Sequence, residues 1–213
     1  MRTCPRCGAV VRQPGLWASY WICDEHGEIQ PAAAAVAPTP DLLRRLARDS
    51  HVPVWLPWPL PDGWVVSGLR WAGDDKNGTV ASVVAVSGPH PIPLIDEEPG
   101  ADLVVIAEQP GVGIGAHLAG LQGVDPGPLL AEKAIHAPAE IKIVADGHDV
   151  PLWSVPMDNG LAYVGEASGD WLWMLAWPAP AAAVLLNRFA LVDIRDPDHD
   201  LDFPCGSLTP RLR

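Results

Sequence analysis

The sequence has few charged residues, few phenylalanines and tyrosines, and no long apolar run. Charged residues account for 19% of the 213 residues, and the chain has two Phe and two Tyr. No apolar run approaches the ~18 to 20 residues of a transmembrane helix, so we expect no membrane span. We also expect no signal peptide, because Cys4 and Cys7 stand where its basic and apolar regions would lie.

Positive charge is scarce as well. Lys and Arg number 14 against 26 Asp and Glu, which gives a formal net charge of -12 and a pI near 4.8. The three arginines and three acidic residues of 1–30 cancel, so the excess belongs to the rest of the chain. Such a surface repels a phosphate backbone and carries no basic patch, so the composition disfavours nucleic acid as a partner.

Proline and glycine are abundant instead. The chain has 24 Pro and 20 Gly, and 48% of its residues are hydrophobic. This combination favours many short strands and turns and argues against an all-helical fold. The length suits one ordinary domain with a small module, or two modest domains.

Two motifs near the N-terminus share one spacing. They read CPRCG and CDEHG, and in each of them two residues separate two potential metal ligands. In zinc sites this spacing lets both ligands reach one ion from a tight turn. The fifteen residues between Cys7 and Cys23 are enough for a strand, a reversal and a return strand. The predicted zinc ligands are Cys4, Cys7, Cys23 and His26.

The surroundings of these motifs favour a structural Zn²⁺. Gly8 and Gly27 stand directly after the second ligand of each motif, where such turns need a residue with positive φ. Four protein ligands fill the tetrahedron, whereas a catalytic zinc keeps one position open. The alternative is a redox Cys-x-x-Cys, but no βαβ pattern surrounds it. Cys205 could replace His26 as a ligand, although we interpret it as a structural thiol. Metal-binding thiolates must stay reduced, which favours the cytoplasm.

The chain divides into three parts. Residues 1–30 form the predicted zinc ribbon, and residues 31–50 form an Ala/Pro linker and a short helix. The linker PAAAAVAPTP has no periodicity and should be exposed and extended. The helix should begin after Thr39 as N-cap, with Pro40 at its first position. Residues 51–213 form an acidic, Trp-rich domain.

The third part predicts an antiparallel sheet. The runs WVVSGLRWAG and TVASVVAVSG flank Asn77-Gly78, which is a strong hairpin signal. DLVVIAEQ, IKIVADG, VPLWSVP, LAYVGEA and DWLWMLAWP indicate further strands, and PAPAAAVLLNRFALVDI indicates a helix packed on the sheet. Repeated prolines in VPVWLPWPLPDGW exclude helix and central strand. The predicted fold class is therefore α+β, with a small zinc ribbon, an antiparallel sheet and a C-terminal helix.

The ten tryptophans give two open interpretations. Exposed tryptophans form platforms for sugars, proline-rich peptides or acyl chains, whereas buried ones fill a core. Trp171, Trp173 and Trp177 lie on one face of the last strand, where core packing is favoured. The candidate ligand or partner surface consists of Trp55, Trp58 and Trp64 in the proline-rich stretch.

Two further motifs favour ordinary structural roles. GVGIGA fits a dinucleotide fingerprint in spacing, but its context is a hairpin, and a glycine-rich turn packed on the sheet is the better interpretation. RDPDHDLD alternates acidic residues as calcium loops do, yet it lacks their Gly and Glu. We interpret it as a solvated acidic tail.

Taken with the ligand motifs, VPVWLPWPLPDGW, AGDD and PGVGIGAHLAG extend a resemblance over most of the chain. The sequence resembles an uncharacterised actinobacterial family of unknown function with an N-terminal zinc-ribbon-like segment. The resemblance implies a cytoplasmic bacterial protein and the same four ligands.

Two hypotheses for function follow. The first is a non-enzymatic protein-interaction or regulatory protein whose ribbon contacts a protein partner. The second is a small-molecule-binding protein or enzyme with its pocket in residues 51–213 and an accessory ribbon. No nucleophile elbow, His-Glu-x-x-His motif or phosphate loop is present, so the sequence favours the first.

Overall fold

The computed structural model describes residues 1–16, 18–92, 100–121, 123–186, 189–197 and 203–212. These residues form a mostly β fold, with a small antiparallel sheet near the N-terminus, a large mixed sheet and few helices. The expected acidic tail falls largely outside the described residues, since Asp198, Asp200 and Asp202 are not among them.

The small sheet consists of β1 (Trp21–Cys23) and β2 (Gly27–Ile29). The remaining strands are β3 (Trp55–Pro57), β4 (Val65–Asp74), β5 (Gly78–Pro89), β6 (Gly100–Glu108), β7 (Ile141–Ala145), β8 (His148–Met157), β9 (Gly160–Ala167), β10 (Asp170–Trp177) and β11 (Ala190–Asp193). They form one sheet in the order β3-β11-β7-β8-β9-β10-β6-β5-β4. The helices are α1 (Pro40–Asp49), α2 (Ile114–Leu118), α3 (Gly127–His136) and the 3₁₀ helices Ala179–Leu186 and Pro210–Leu212.

The hairpins follow from the turn residues of the sequence. Asn77 precedes Gly78, whose φ of +67° is the left-handed conformation that glycine adopts most readily, and β4 pairs with β5 across this turn. Asn159 and Ser168 also have positive φ, and they join β8 to β9 and β9 to β10. The predicted antiparallel strands are thereby confirmed.

Both faces of the large sheet are buried. In β10, Leu172 and Met174 belong to one hydrophobic cluster, whereas Trp173, Leu175 and Trp177 belong to another. Helix α1 and the 3₁₀ helix 179–186 cover the first face, and α2, α3 and the chain end cover the second. Edge strand β3 also contacts β5 and β6, so the sheet curls over the first cluster. Two-sided burial explains why β6 and β10 are almost continuously apolar.

Helix α1 forms as its sequence predicts. Thr39 is its N-cap, and the Thr39 hydroxyl accepts a hydrogen bond from the backbone N–H of Leu42 at 3.2 Å. Leu43 and Leu46 are buried on the first face of the sheet. The exposed Arg44 and Arg48 lie on the solvent side of the same helix.

The Ala/Pro segment is extended, but the expectation that it is exposed is wrong for its first residues. Ala32 and Ala33 are buried, with 0% and 6% exposure. The backbone N–H of Ala33 donates to the carbonyl of Trp71 at 2.8 Å, and Val36 and Leu69 exchange two hydrogen bonds. Because β4 is the edge strand of the sheet, this segment satisfies polar groups that would otherwise face solvent.

The prediction of a C-terminal helix is wrong for the second half of that segment. The first half is helical, but it is a 3₁₀ helix and not an α-helix. Residues 179–186 form a 3₁₀ helix, and the chain then enters strand β11. Strand β11 runs parallel to β7, where the N–H groups of Val144 and Asp146 donate to the carbonyls of Phe189 and Leu191. The large sheet is consequently mixed and not purely antiparallel. The apolar side chains of Val184 and Phe189 are nevertheless buried on the sheet, as expected.

The proline-rich stretch forms an edge strand. Strand β3 contains Pro57 and lies at the end of the sheet order, where a missing N–H disrupts no second neighbour. Helices α2 and α3 were not anticipated from the sequence. Within the described residues, every helix is too short or too polar to cross a lipid bilayer.

Candidate metal centre

The predicted ligands meet at one point of the ribbon. The ligand atoms of Cys4, Cys7, Cys23 and His26 all lie within 4.8 Å of one another. The sulfurs of Cys7 and Cys23 are 3.7 Å apart, and His26 Nδ1 lies 3.7 Å from Cys4 Sγ and 3.6 Å from Cys23 Sγ. This group of three thiols and one imidazole could hold a metal ion.

Two tight turns position the ligands. Gly8 and Gly27 close these turns with φ of +74° and +68°, as the glycine after each motif predicts. The backbone N–H of Gly8 donates to the carbonyl of Cys4 at 2.9 Å. Backbone N–H groups within the turns also donate to the sulfurs of Cys4 and Cys23. Strands β1 and β2 flank the second turn and pair Cys23 with Gly27, which fixes the imidazole-bearing side of the cluster.

The thiols differ in their electrostatic surroundings. Burial raises the pKa of Cys4 to about 12. Burial also acts to raise the pKa of Cys23, but the hydrogen bond with His26 and the backbone N–H groups of Glu25 and His26 outweigh it and lower the pKa to about 7. Because metal ligation requires thiolates, metal binding must displace the proton of Cys4.

The ribbon is fixed to the large sheet through Arg6, which lies between the first two ligands. The guanidinium of Arg6 donates to the carbonyl of Gly111 at 2.6 Å and to that of Val112 at 3.4 Å. Gly8 lies against the ring of His117, so that an added Cβ would stand 3.4 Å from His117 Nε2. Burial, together with the positive charge of Arg70, lowers the pKa of His117, so a neutral ring is favoured against the ribbon.

A second set of contacts joins Thr3 of the ribbon to the linker and to strand β4. Thr3 and Ala32 exchange backbone hydrogen bonds of 3.0 and 2.8 Å. Arg70, on β4, donates from Nη2 to the Thr3 hydroxyl at 3.2 Å and from Nε to the carbonyl of Ala33 at 3.1 Å. The ribbon is therefore attached to the sheet at two places, by Arg6 and by Arg70.

Cys205 lies apart from the cluster. It forms an isolated bridge with Val66 near the chain end, and its side chain is exposed. Cys205 is not a member of the metal-ligating group found among the described residues. Its place in the fold therefore offers no substitute for His26.

The candidate tryptophans separate into one core residue and two residues at a cavity. Trp55 is only 2% exposed and belongs to the first hydrophobic cluster, so including it in an exposed surface was wrong. Its position inside the curl of the sheet is the physical reason, since β3 packs against β5 and β6. Trp58 is 42% exposed and Trp64 is 4% exposed, and both line a cavity of about 620 Å³.

Sequence reasoning missed one functional candidate, the buried carboxylate of Glu108. Its oxygens accept hydrogen bonds from the backbone N–H groups of Ile114 and Gly115, at 2.7 and 3.2 Å, and from Trp173 Nε1 at 2.7 Å. Burial raises its pKa to about 7, although these hydrogen bonds act to lower it. A single acid at the end of the apolar run DLVVIAE was the available signal.

The glycine-rich motif packs on the sheet, as expected. A Cβ added to Gly115 would stand 2.3 Å from the ring of Trp173. Helix α2 ends after five residues, and the N–H groups at its start already bond Glu108. The motif therefore serves close packing and offers no free cradle for phosphates.

Comparison with known proteins gives one match at the level of the family. No curated protein matches the chain, and no solved structure matches it. A family of unknown function, DUF6758, has a model that matches residues 1–212. That match spans the Cys/His cluster, the large sheet and the tryptophan-lined cavity together, and the chain belongs to this family of unknown function.

Proposed function

We propose that this protein is a non-enzymatic interaction protein that uses a structural zinc ribbon to contact a protein partner. The observation that carries the proposal is the distribution of exposed apolar side chains. Val10, Leu16 and Tyr20 are 62%, 98% and 42% exposed, and all three belong to the ribbon. Since Arg6 and Arg70 attach other parts of the ribbon to the sheet, these side chains remain available to a partner.

The donor set supports zinc as the metal. Zinc–sulfur bonds of about 2.3 Å and zinc–nitrogen bonds of about 2.0–2.1 Å in a tetrahedron separate two sulfurs by about 3.8 Å and sulfur from nitrogen by about 3.5 Å. The distances from Cys23 to Cys7 and to His26 are 3.7 and 3.6 Å, close to both values. Four protein ligands leave no position for substrate, which supports a structural role.

The thiol ligands also support a reducing location. Cys4, Cys7 and Cys23 bind metal only while they are reduced, and this favours the cytoplasm. The resemblance noted above supports an actinobacterial origin.

Charge favours a basic partner. Residues 1–30 carry no formal net charge, whereas the rest of the chain carries -12. A second copy would bring the same acidic body towards the first, and nucleic acid would be repelled in the same way. The partner that fits is a protein with an apolar patch flanked by Lys or Arg.

The test is affinity purification from the native host with the intact chain, Leu16→Asp and Ile135→Asp. Ile135 is 78% exposed on α3 and serves as the matched control. Zinc content and the circular dichroism spectrum are measured for each protein. We expect a basic protein that is retained by Ile135→Asp and lost by Leu16→Asp, with zinc unchanged in both. Retention of the same proteins by all three would overturn the interaction role of the ribbon.

A second candidate function rests on the tryptophan-lined cavity. Its volume of about 620 Å³ lies within the range of small-molecule sites, and it is built from the domain 51–213. In this alternative the protein binds a small molecule, with or without catalysis, and the zinc ribbon is an accessory. Ligand-dependent tryptophan fluorescence that survives chelation would favour it over the interaction role.

A further inference from the structure

The cavity beside Trp58 has rigid walls. The backbone N–H of Trp58 donates to the carbonyl of Ala190 on β11 at 3.0 Å, and that of Trp64 donates to the carbonyl of Pro61 at 3.0 Å. The ring of Trp64 packs directly over Gly88, where an added Cβ would stand 2.4 Å from the indole. Prolines from the two facing segments complete the walls. Such a cavity is largely formed before a ligand enters.

The two tryptophans of the cavity differ in exposure, since Trp58 faces solvent and Trp64 is a buried part of the wall. Trp58 is 42% exposed, so part of its indole is free for stacking. Trp64 is 4% exposed and forms a wall behind it. A ligand with a flat apolar face would therefore bury that face against an indole.

The cavity is lined by polar groups that a ligand could bond. The Nδ1 atom of His90 lies 2.5 Å from the carbonyl oxygen of Ile92 and 3.1 Å from the backbone nitrogen of Ile92, so both contacts of Nδ1 are with one residue. The Nε2 atom of the same ring is buried and has no hydrogen-bond partner in the described part of the chain. Asp62 and Trp58 also line the cavity, and both are exposed, so the Asp62 carboxylate and the Trp58 indole N–H can meet a ligand.

These groups select among ligand classes. The carboxylate of Asp62 accepts hydrogen bonds, the indole of Trp58 donates one, and His90 Nε2 does either according to the tautomer of its ring. A proline-rich peptide offers carbonyl acceptors but few donors, and an acyl chain offers neither. Phosphate would meet Asp62 in an acidic chain. A sugar ring combines an apolar C–H face with hydroxyls that both donate and accept.

We propose that this cavity binds a carbohydrate, with a pyranose ring stacked on Trp58 and its hydroxyls bonded to Asp62 and His90. The proposal rests on the second candidate function, the ligand cavity, and is independent of the role of the ribbon. It adds the class of ligand and the residues that would recognise it.

The test follows the indole N–H resonances of ¹⁵N-labelled, zinc-loaded protein during titration with maltotriose, N,N′-diacetylchitobiose or hexaproline. We expect one of the two saccharides to shift the Trp58 and Trp64 resonances saturably. Trp58→Ala should weaken this binding by about tenfold or more, as expected for the loss of a stacking anchor. Asp62→Asn, which keeps the aromatic wall, should also weaken it. Trp153→Phe, whose indole bonds Ala137 elsewhere in the fold, is the control and should bind normally.

Three results would overturn the proposal in different ways. Saturable binding of hexaproline with no response to either saccharide would keep a ligand cavity but reject its carbohydrate specificity. No shift of Trp58 with any of the three probes would reject the carbohydrate site altogether. Saccharide binding by Trp58→Ala and by Asp62→Asn that is as tight as binding by the wild type would place the sugar elsewhere and also reject the proposal.

Discussion

Replacing the buried Glu108 by Gln should change how the stability of the protein depends on pH. Glu108 is 0% exposed and accepts hydrogen bonds from Ile114, Gly115 and Trp173. These donors favour the charged carboxylate, whereas removal from water disfavours it. The effect of burial is the larger, and it raises the pKa of Glu108 from 4.5 to about 7.

The raised pKa fixes the direction and size of the effect. Between pH 4.5 and about 7, folded Glu108 holds a proton that the unfolded chain has released. The stability from this group is therefore fully present below pH 4.5 and is lost as the pH rises through about 7. The whole effect is about 3 kcal/mol, of which about 2 kcal/mol is lost between about pH 5.5 and about pH 8. Gln cannot ionise, so the variant lacks this dependence.

The assay is reversible urea unfolding of the zinc-loaded proteins across that pH range. The side-chain NH₂ group of the Gln is a donor and would face another donor, the N–H of Ile114 or one of its neighbours. Glu108→Gln should therefore lower the stability at every pH by about 1–3 kcal/mol. The stability difference between wild type and variant should narrow by about 2 kcal/mol towards high pH. Glu166→Gln replaces an exposed carboxylate and is the control, so its free energy of unfolding should depend on pH as that of the wild type does. Parallel curves for wild type and Glu108→Gln would refute the reasoning, because they would mean that the three donors fully offset burial.

Three further predictions concern packing, capping and the metal. Gly115→Ala should destabilise the protein by about 1–3 kcal/mol, since its Cβ would overlap the ring of Trp173, and an unchanged urea midpoint would contradict this. Thr39→Ala should cost about 1 kcal/mol through loss of the N-cap of α1, and thermal unfolding at constant zinc would show it. Removal of zinc by a chelator, or Arg6→Met with zinc bound, should speed hydrogen exchange at the amide of Val112, because Arg6 holds that loop. Equal exchange in all three samples would contradict the role of Arg6.

Local signals made most of the fold predictable from the sequence. The turn at Asn77-Gly78 and the N-cap at Thr39 depend on residues close in the chain, and both form as expected. The grouping of Cys4, Cys7, Cys23 and His26 also follows from short spacings within one small module. Buried strands such as β10 were found because burial on both faces gives a continuous apolar run.

The errors arose where distant parts of the chain decide the structure. Phe189 and Val192 continue the helical spacing of Val184 and Leu185, yet residues 190–193 form a strand because the edge of β7 offers them backbone hydrogen bonds. The first alanines of the linker have no side chain that predicts burial, but the edge of β4 binds their backbone. Trp55 lies on the short edge strand β3, where a side chain would ordinarily be partly exposed. The curl of the sheet places it inside the core, and no local sequence signal predicts that curl.

The ribbon is part of the main fold and not a tethered module. Arg6 stands between two metal ligands and donates to Gly111 and Val112. The next residues along the chain, Ile114 and Gly115, donate their backbone N–H groups to Glu108. Glu108 in turn accepts a hydrogen bond from Trp173 in the core. Metal ligation would fix the turn that carries Arg6, and with it this series of contacts. A partner bound at Leu16 would therefore be held in a fixed orientation relative to the acidic body, which a flexible linker could not provide.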